Sequence, residues 1–404
     1  MAGIAEIIGY KKEVEKLYGI CDFLKNTEKY IDFDIQLPKG LLILGSKGVG
    51  KTMMAEALAT DCERKIFYVS TEELNVKCIK KIFKKASKVA HSVVLIDDID
   101  YLDKEEDYDT YRLLISKMSS NEYGEVFVVI TADDKEYLPD FFVAEFDSDM
   151  VIELLPPKIE EACEIFEPIF SKSKTDKDFN INDFCCFAQD CSFTYAEETF
   201  NRAFRLAVYD GCDKVSMQHL IKAGLLQKGY ELAVEFDAAT AYHEAGHAAV
   251  NLLLDGDAAC IVLLDGGGGY FTEKSWKTRT YIDKERRYIV SVAGKACEEV
   301  FTGTSSIGSY SDLGRVSEAI EADVKILASQ GFEYFDSTEL DSPAYNDTLA
   351  KKVQSDLQRY YDRAEELIVQ NKPLIEMLVE GLKDKFYLLH SEIYKIYNSY
   401  VSGH

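Results

Sequence analysis

The stretch Gly45-Ser46-Lys47-Gly48-Val49-Gly50-Lys51-Thr52 fits the phosphate-binding pattern G-x-x-x-x-G-K-[ST]. It follows an apolar run, Leu41–Leu44, and opens a helical run, Met53–Ala59. Strand, glycine-rich loop and helix together are the context in which this P-loop pattern works. The glycines let backbone N–H groups wrap a phosphate chain at the helix N-terminus. Lys51 supplies charge to the outer phosphates, and Thr52 offers a hydroxyl to Mg²⁺. Further on, Val93-Val94-Leu95-Ile96-Asp97-Asp98 is a buried-strand run ending in two carboxylates. Its distance from the loop suits a Walker B strand, with Asp97 orienting the Mg²⁺ shell. The runs Leu41–Leu44, Lys65–Val69, Val93–Ile96, Val126–Ile130 and Val151–Leu154 alternate with helical segments such as Val76–Ala90 and Thr110–Ser119. The alternation predicts a parallel sheet covered on both faces, with nucleotide at the carboxyl ends of its strands.

A second motif lies far downstream. Tyr242-His243-Glu244-Ala245-Gly246-His247 contains H-E-x-x-H. Histidines four apart on a helix share one face, so both imidazoles can bind one metal ion, and the intervening glutamate can reach a water there. This is the chemistry of zinc hydrolases: imidazoles hold Zn²⁺, the ion acidifies water, and the carboxylate takes the proton. The flanks predict a helix. Thr240 is placed to cap it, Ala245, Ala248 and Ala249 favour it, Leu252–Leu254 continue its apolar face, and Asp255-Gly256 stop it. Two of the six histidines in the chain fall in this motif.

Composition sets the outer bounds. A chain of 404 residues has room for two or three domains. With 47% hydrophobic and 29% charged residues it has the make-up of an ordinary water-soluble protein. A formal net charge of −25 argues against nucleic acid or an anionic membrane as partner. The ten cysteines include no C-x-x-C pair, and the cluster Cys185-Cys186 with Cys191 has no histidine nearby. Buried free thiols in a reducing cytosol are the expectation. No apolar run approaches the ~18 residues that span a bilayer, and no signal peptide is present. The expectation is a cytoplasmic protein without an intrinsic membrane span.

Pro156-Pro157 breaks the strand–helix alternation. From Lys158 to about Lys228 the periodicity is helical, and Gly229 to Asp237 reads as a linker. Domains are therefore expected at 1–154, 155–228 and 229–404. In the last of these helices dominate, with a hairpin or edge strand around Cys260–Leu264 and Tyr270–Thr272 and long helices from Leu349 to about Val379. The run Gly266–Gly269 reads as a flexible loop, or else as a place where another backbone comes close; the flexible loop is the expectation.

With P-loop, helical unit and H-E-x-x-H in this order, the chain resembles the FtsH family of AAA+ zinc metalloproteases over nearly its whole length. Phe23-Leu24-Lys25-Asn26 followed by Leu37-Pro38-Lys39-Gly40-Leu41 looks like that family's approach to the P-loop. Val215-Ser216-Met217 resembles the end of its helical lid, and Tyr242 to His247 matches its peptidase motif without a departure. Ala293-Gly294-Lys295-Ala296-Cys297-Glu298-Glu299 resembles a helix of its peptidase domain. Gly308-Ser309-Tyr310-Ser311-Asp312-Leu313 resembles the segment whose aspartate is the third zinc ligand. The resemblance implies an α/β AAA+ P-loop domain with a parallel sheet and a helical lid, followed by a mostly α-helical zinc metallopeptidase domain. It implies Zn²⁺ on His243, His247 and Asp312, with Glu244 as catalytic base. It also implies ATP and Mg²⁺ on Gly45 to Thr52 with the Walker B pair Asp97 and Asp98. The implied substrate is a polypeptide, and the implied assembly is a homo-oligomer, a hexamer. Spacing alone leaves Glu298 and Glu299 as rivals for the third ligand, because many H-E-x-x-H enzymes take a helical glutamate.

The departures from the family pattern fall mainly in the motor and its anchoring. Family members usually carry transmembrane helices before the ATPase, and this sequence starts at the ATPase. Asp98 stands where the family's second Walker B acid is a glutamate, and Asp133 where its sensor residue is an asparagine. The two arginines that act in trans on a neighbour's nucleotide align near Ala144 and Glu145, neither of them basic. An arginine finger is worth ~10³–10⁵ in rate. The aromatic loop that grips substrate looks deleted: Ser70 to Ile79 is short and holds no Phe, Tyr or Trp. A full ATP-driven unfoldase would need these parts from elsewhere. Arg202 and Arg205 on the lid more simply solvate a helix face. The expectation is a zinc endopeptidase that cleaves unfolded polypeptides beside an ATP-binding module of weak hydrolysis. The alternative is a regulatory or assembly protein on the same scaffold without proteolysis. The complete set His243, Glu244, His247 and Asp312 favours the peptidase.

Overall fold

The computed structural model describes residues 3–403 apart from 34–37, 39, 120–125, 172–173, 276–279 and 327–342. Leu37 and Lys39, in the approach to the P-loop, lie outside the described residues. The chain forms two compact units, one of residues 1–174 with Gln189–Asn201, the other of Thr175–Ala188 with Arg202–His404.

The first unit is built on strands β1 (Gly40–Leu44), β2 (Lys65–Ser70), β3 (Ser92–Asp97), β4 (Val126–Ala132) and β5 (Val151–Glu153). Their order is β2-β3-β4-β1-β5 and every neighbouring pair is parallel. These are the five runs expected from the sequence, shifted at their ends by one or two residues. The inner strands read as unbroken apolar runs because helices cover both faces: Leu41, Leu42, Ile43, Val94, Leu95 and Ile96 are all buried. The register levels their carboxyl ends. Leu44 pairs with Ala132 and Ile96 with Ile130, so the residues that follow β1, β3 and β4 emerge along one edge of the sheet. That edge carries Gly45, Asp97, Asp98 and Asp133.

Beyond Pro156-Pro157 the chain is helical as expected, with helices Ile159–Ser171, Ile181–Phe187, Phe193–Tyr209 and Met217–Gln227. In the second unit the helices Ala238–Leu253 and Tyr281–Thr302 pack together over an extended contact. Strands β6 (Asp257–Leu264) and β7 (Gly268–Ser275) form an antiparallel hairpin, and β8 (Tyr387–Leu389) pairs on the other side of β6. The order β7-β6-β8 leaves β7 at an edge. The segment that reads as a linker is pinned to this sheet. Leu232 bridges Leu264, and the Ala233 N–H donates to the Leu263 carbonyl at 3.0 Å. Helices Pro343–Gln370 and Lys372–Leu382 fill the stretch read as long helices. All ten cysteines are free thiols.

Candidate nucleotide site and metal centre

At the sheet edge, Gly45, Gly48 and Gly50 have φ of +148°, +84° and +105°. L side chains avoid this region. At Gly45 a Cβ would also come 2.4 Å from the Leu154 carbonyl oxygen. Lys51 is buried, and its ammonium donates to the Gly45 carbonyl at 2.7 Å and to the Asp133 carboxylate, with Asp98 3.6 Å away. The Thr52 hydroxyl donates to the Asp97 carboxylate, 3.1 Å from either oxygen. Thr131 steadies this pair: its hydroxyl donates to Asp97 at 2.6 Å and accepts the Asp98 N–H at 2.8 Å. Burial pushes the Asp98 carboxyl above its ordinary pKa. Lys51 opposes that rise, and Asp97, Asp133 and Asp100 add to it. A hydroxyl and a carboxylate joined in this way suit Mg²⁺: Thr52 and Asp97 would hold the ion, and it would supply positive charge to a bound phosphate chain.

In the second unit, the motif helix Ala238–Leu253 begins one turn earlier than its expected cap. Asp237 is the N-cap, accepting the Ala239 N–H at 3.1 Å, whereas Thr240 lies inside the helix and donates its hydroxyl to Asp237 at 2.6 Å. A carboxylate outcompetes a hydroxyl for the free N–H groups because charge strengthens the bond.

The helix presents His243 and His247 on one face, as their spacing requires. Asp312 arrives from the first turn of helix Tyr310–Ile326, where the free N–H groups favour a negative charge. The Nε2 atoms of the two histidines are 3.0 Å apart, and Asp312 Oδ2 is 3.1 Å from His243 Nε2 and 3.6 Å from His247 Nε2. Ligands at 2.0–2.1 Å from a tetrahedral zinc would be separated by about 3.3 Å, so the three atoms fit one such ion. The other nitrogen of each ring is fixed. His247 Nδ1 lies 2.7 Å from the Val290 carbonyl, which can only accept, so this nitrogen carries the proton and Nε2 keeps its lone pair. His243 Nδ1 lies 2.6 Å from Glu298 Oε1. Glu298 is itself held by the Ser306 hydroxyl at 2.9 Å and by the Ser306 N–H.

These contacts separate the rivals for the third position. Glu298 lies on the Nδ1 side of His243, where it orients the ring. Glu299 is engaged by Lys295, Ser305 and Tyr361. Asp312 alone of the three shares the described cluster with both histidines. Burial pushes the Asp312 carboxyl up, but the two imidazoles it faces, His243 and His247, outweigh it and hold its pKa well below the carboxylate range.

Glu244 is buried and outside the ligand cluster. Burial pushes its carboxyl up to about 7, with His247 and the donated N–H of Phe271 opposing and Asp312 adding to the rise. Phe271 belongs to edge strand β7, which brings the glycine run into the site. A Cβ at Gly269 would come 2.8 Å from Glu244 Cγ and 3.0 Å from its Oε1. Gly269 is thus a place of close approach, whereas Gly266 and Gly267 form the open turn of the hairpin, with φ of +84° and +82°.

Gly294, on the helix Tyr281–Thr302, shapes the centre. A Cβ there would meet both Nε2 atoms at 2.5 Å. Gly246 answers from the other helix, where a Cβ would lie 2.5 Å from Cys297 Cβ. A glycine inside a helix costs about 1 kcal/mol relative to alanine, and that cost is the signal that could have marked both positions. Gly294→Ala is expected to lower zinc affinity by at least about 10–100-fold, the range seen when a supporting group is lost. Competition with a chromogenic chelator measures it, and unchanged affinity would remove Gly294 from the centre.

A parallel P-loop sheet followed by a mostly helical unit with two helical histidines and an aspartate defines a protein with an ATPase domain and a candidate metal site. Residues 41–154 match the family model of the ATPase family associated with various cellular activities (AAA). The chain is 26% identical to the ATP-dependent zinc metalloprotease FtsH of Streptobacillus moniliformis over 96% of its own length and 63% of that protein's. It is 26% identical to the FtsH of Parabacteroides distasonis, over 98% of this chain and 63% of that protein. It is 25% identical to FtsH 1 of Alkaliphilus metalliredigens, over 98% and 74%. The chain is therefore an FtsH homologue with an AAA ATPase domain, and it spans about three fifths of the length of several of the curated relatives it matches. Among the described residues no helix is long and apolar enough to cross a membrane.

Proposed function

We propose that the chain is a zinc-dependent endopeptidase of the FtsH type, cleaving unfolded polypeptides, with an AAA module that binds ATP and hydrolyses it slowly. In this reading 1–154 is the nucleotide-binding domain, 155–228 its lid and 229–404 the peptidase, assembled as a homo-oligomer. The observation that supports it best is the convergence of His243, His247 and Asp312 on one point, with Glu244 buried beside them.

A zinc ion bound there would supply Lewis acidity to a water and to the scissile carbonyl. His243 and His247 would hold it through Nε2 atoms kept free by Glu298 and the Val290 carbonyl, and Asp312 would complete the donor set. Glu244 would take a proton from the attacking water and pass it to the leaving amine. Its placement suits that role, since a buried carboxylate beside the metal position is within reach of a metal-bound water and shielded from bulk solvent. At the sheet edge, Gly45 to Thr52 would wrap the phosphates while Thr52 and Asp97 oriented Mg²⁺.

The test of the metal reading is elemental analysis. The wild-type chain is expected to hold about one zinc, the ordinary occupancy of a three-ligand catalytic site, and His243→Ala to hold almost none at the same protein concentration. Undiminished zinc in His243→Ala would overturn the assignment. Wild-type protein that carries zinc yet never cleaves an unfolded peptide would favour the regulatory or assembly alternative.

A further inference from the structure

We propose that Asp133 makes the P-loop site selective for a nucleoside diphosphate over a triphosphate. The inference rests on the nucleotide-binding reading above and concerns which nucleotide the site retains.

An ammonium has three protons to donate. In Lys51 two directions are taken, by the Gly45 carbonyl at 2.7 Å and by the Asp133 carboxylate, and Asp98 stands 3.6 Å away. The Asp133 backbone is anchored beside Lys51: it follows β4 directly, and its N–H donates to Asp100 Oδ2 at 2.9 Å. The loop's own N–H groups can serve a terminal β-phosphate with little help from the far side of Lys51. A γ-phosphate extends past them toward the lysine and the ends of β3 and β4. There it must share the ammonium with Asp133. Two acceptor oxygens on one ammonium, each at hydrogen-bond distance, lie about 4.6 Å apart, so the γ-phosphate would face a carboxylate of like charge across that gap.

The local charge count points the same way. Asp97, Asp98 and Asp133 carry three negative charges against the single charge of Lys51, and a Mg²⁺ held by Thr52 and Asp97 would only bring that sum to zero, which leaves no surplus positive charge for a γ-phosphate. The Asp133 side chain is 42% exposed, so water screens the repulsion and the expected preference is moderate, about ten-fold.

The experiment measures binding of Mg·ADP and of a Mg-bound, non-hydrolysable ATP analogue to the full chain by titration calorimetry. The variants are Asp133→Asn, Asp133→Glu and Lys51→Ala. Wild type is expected to bind the diphosphate about ten-fold more tightly than the triphosphate. Asp133→Asn, which keeps the side-chain shape, should tighten the triphosphate until the preference falls within about three-fold, with ADP scarcely moved. Asp133→Glu, which keeps the charge, should retain the preference, and so excludes an effect of substitution as such. Equal affinities in wild type, or a preference that Asp133→Asn leaves unchanged, would overturn the proposal. Binding of neither nucleotide by wild type or by Asp133→Asn would instead overturn the nucleotide reading beneath it. Lys51→Ala should weaken both ligands, which ties whatever binding is seen to the P-loop.

Discussion

Glu244→Gln is expected to keep its zinc and to lose peptide cleavage by about 10²–10⁴-fold, the usual contribution of a general base. The zinc should stay because the donor atoms come from His243, His247 and Asp312, and their supports from Glu298 and Val290. None of these passes through residue 244. The fold should hold as well. Glutamine has the length of glutamate, and its amide oxygen can still accept the Phe271 N–H. It also fits beside Gly269, where space is tight around Glu244 Cγ. What the amide cannot do is take a proton from water. Glu244→Asp is a useful companion, since it keeps the proton acceptor and shortens its reach by one methylene. Zinc content and cleavage of a quenched fluorescent peptide, measured on the same preparation, decide the matter. Wild-type cleavage by Glu244→Gln would show that the base lies elsewhere. Loss of zinc in the variant would show that Glu244 has a place in the metal's surroundings that the present assignment denies it.

The chain's pattern was most legible where period and context agreed. The five strands of the first unit are apolar runs bounded by helices, and parallel strands buried on both faces must read that way. The P-loop and the i,i+4 histidines are local patterns, so their spacing alone carries their meaning. What the sequence left open depends on contacts between distant segments. Glu298 could be read as a ligand, and only the side of the His243 ring that it meets makes it an orienting group. Gly294 and Gly246 are unremarkable letters until two helices press together over them. The Val290 carbonyl is a backbone atom and leaves no trace in the side-chain pattern. Strand β8, three buried residues before the last helix, is too short to show a period of two. In the glycine run a glycine's conformational freedom accounts for the turn at Gly266 and Gly267, but the use of Gly269, a missing side chain against Glu244, depends on a distant segment and leaves no local sign.

A stably folded substrate should resist this protein even with ATP, whereas unfolded chains and peptides should be cleaved with little dependence on nucleotide. Pulling a folded domain apart requires a grip on its chain and a hydrolysis cycle to drive that grip. The structure gives little room for the first. Five residues, Thr71–Asn75, connect β2 to the helix Val76–Ala86, and they are tied down. The Thr71 hydroxyl donates to the carbonyls of Asp97 and Asp98, Leu74 is buried, and Asn75 caps the helix by accepting from Lys77 and Cys78. No aromatic side chain stands in this connection to press on a passing polypeptide. The cycle is expected to be weak as well. Ala144 and Glu145 are exposed but not basic, and a missing arginine finger costs ~10³–10⁵ in rate. The proposed peptidase unit has no such deficit. Among the described residues strand β7 is an edge of its sheet, and its Phe271 N–H reaches Glu244, so the carboxylate proposed as base sits beside a strand with an open side. An extended segment can add to such an edge through backbone hydrogen bonds, which selects for extended chain more than for sequence. The comparison uses a casein-like unfolded protein and a tightly folded tagged reporter, each with and without Mg·ATP. Gel-resolved loss of the unfolded substrate at similar rates in both conditions, with the reporter intact, is the expected result. ATP-dependent degradation of the reporter would mean that a working motor grips its substrate through residues other than Thr71–Asn75 and that the ATPase needs no arginine at Ala144 or Glu145.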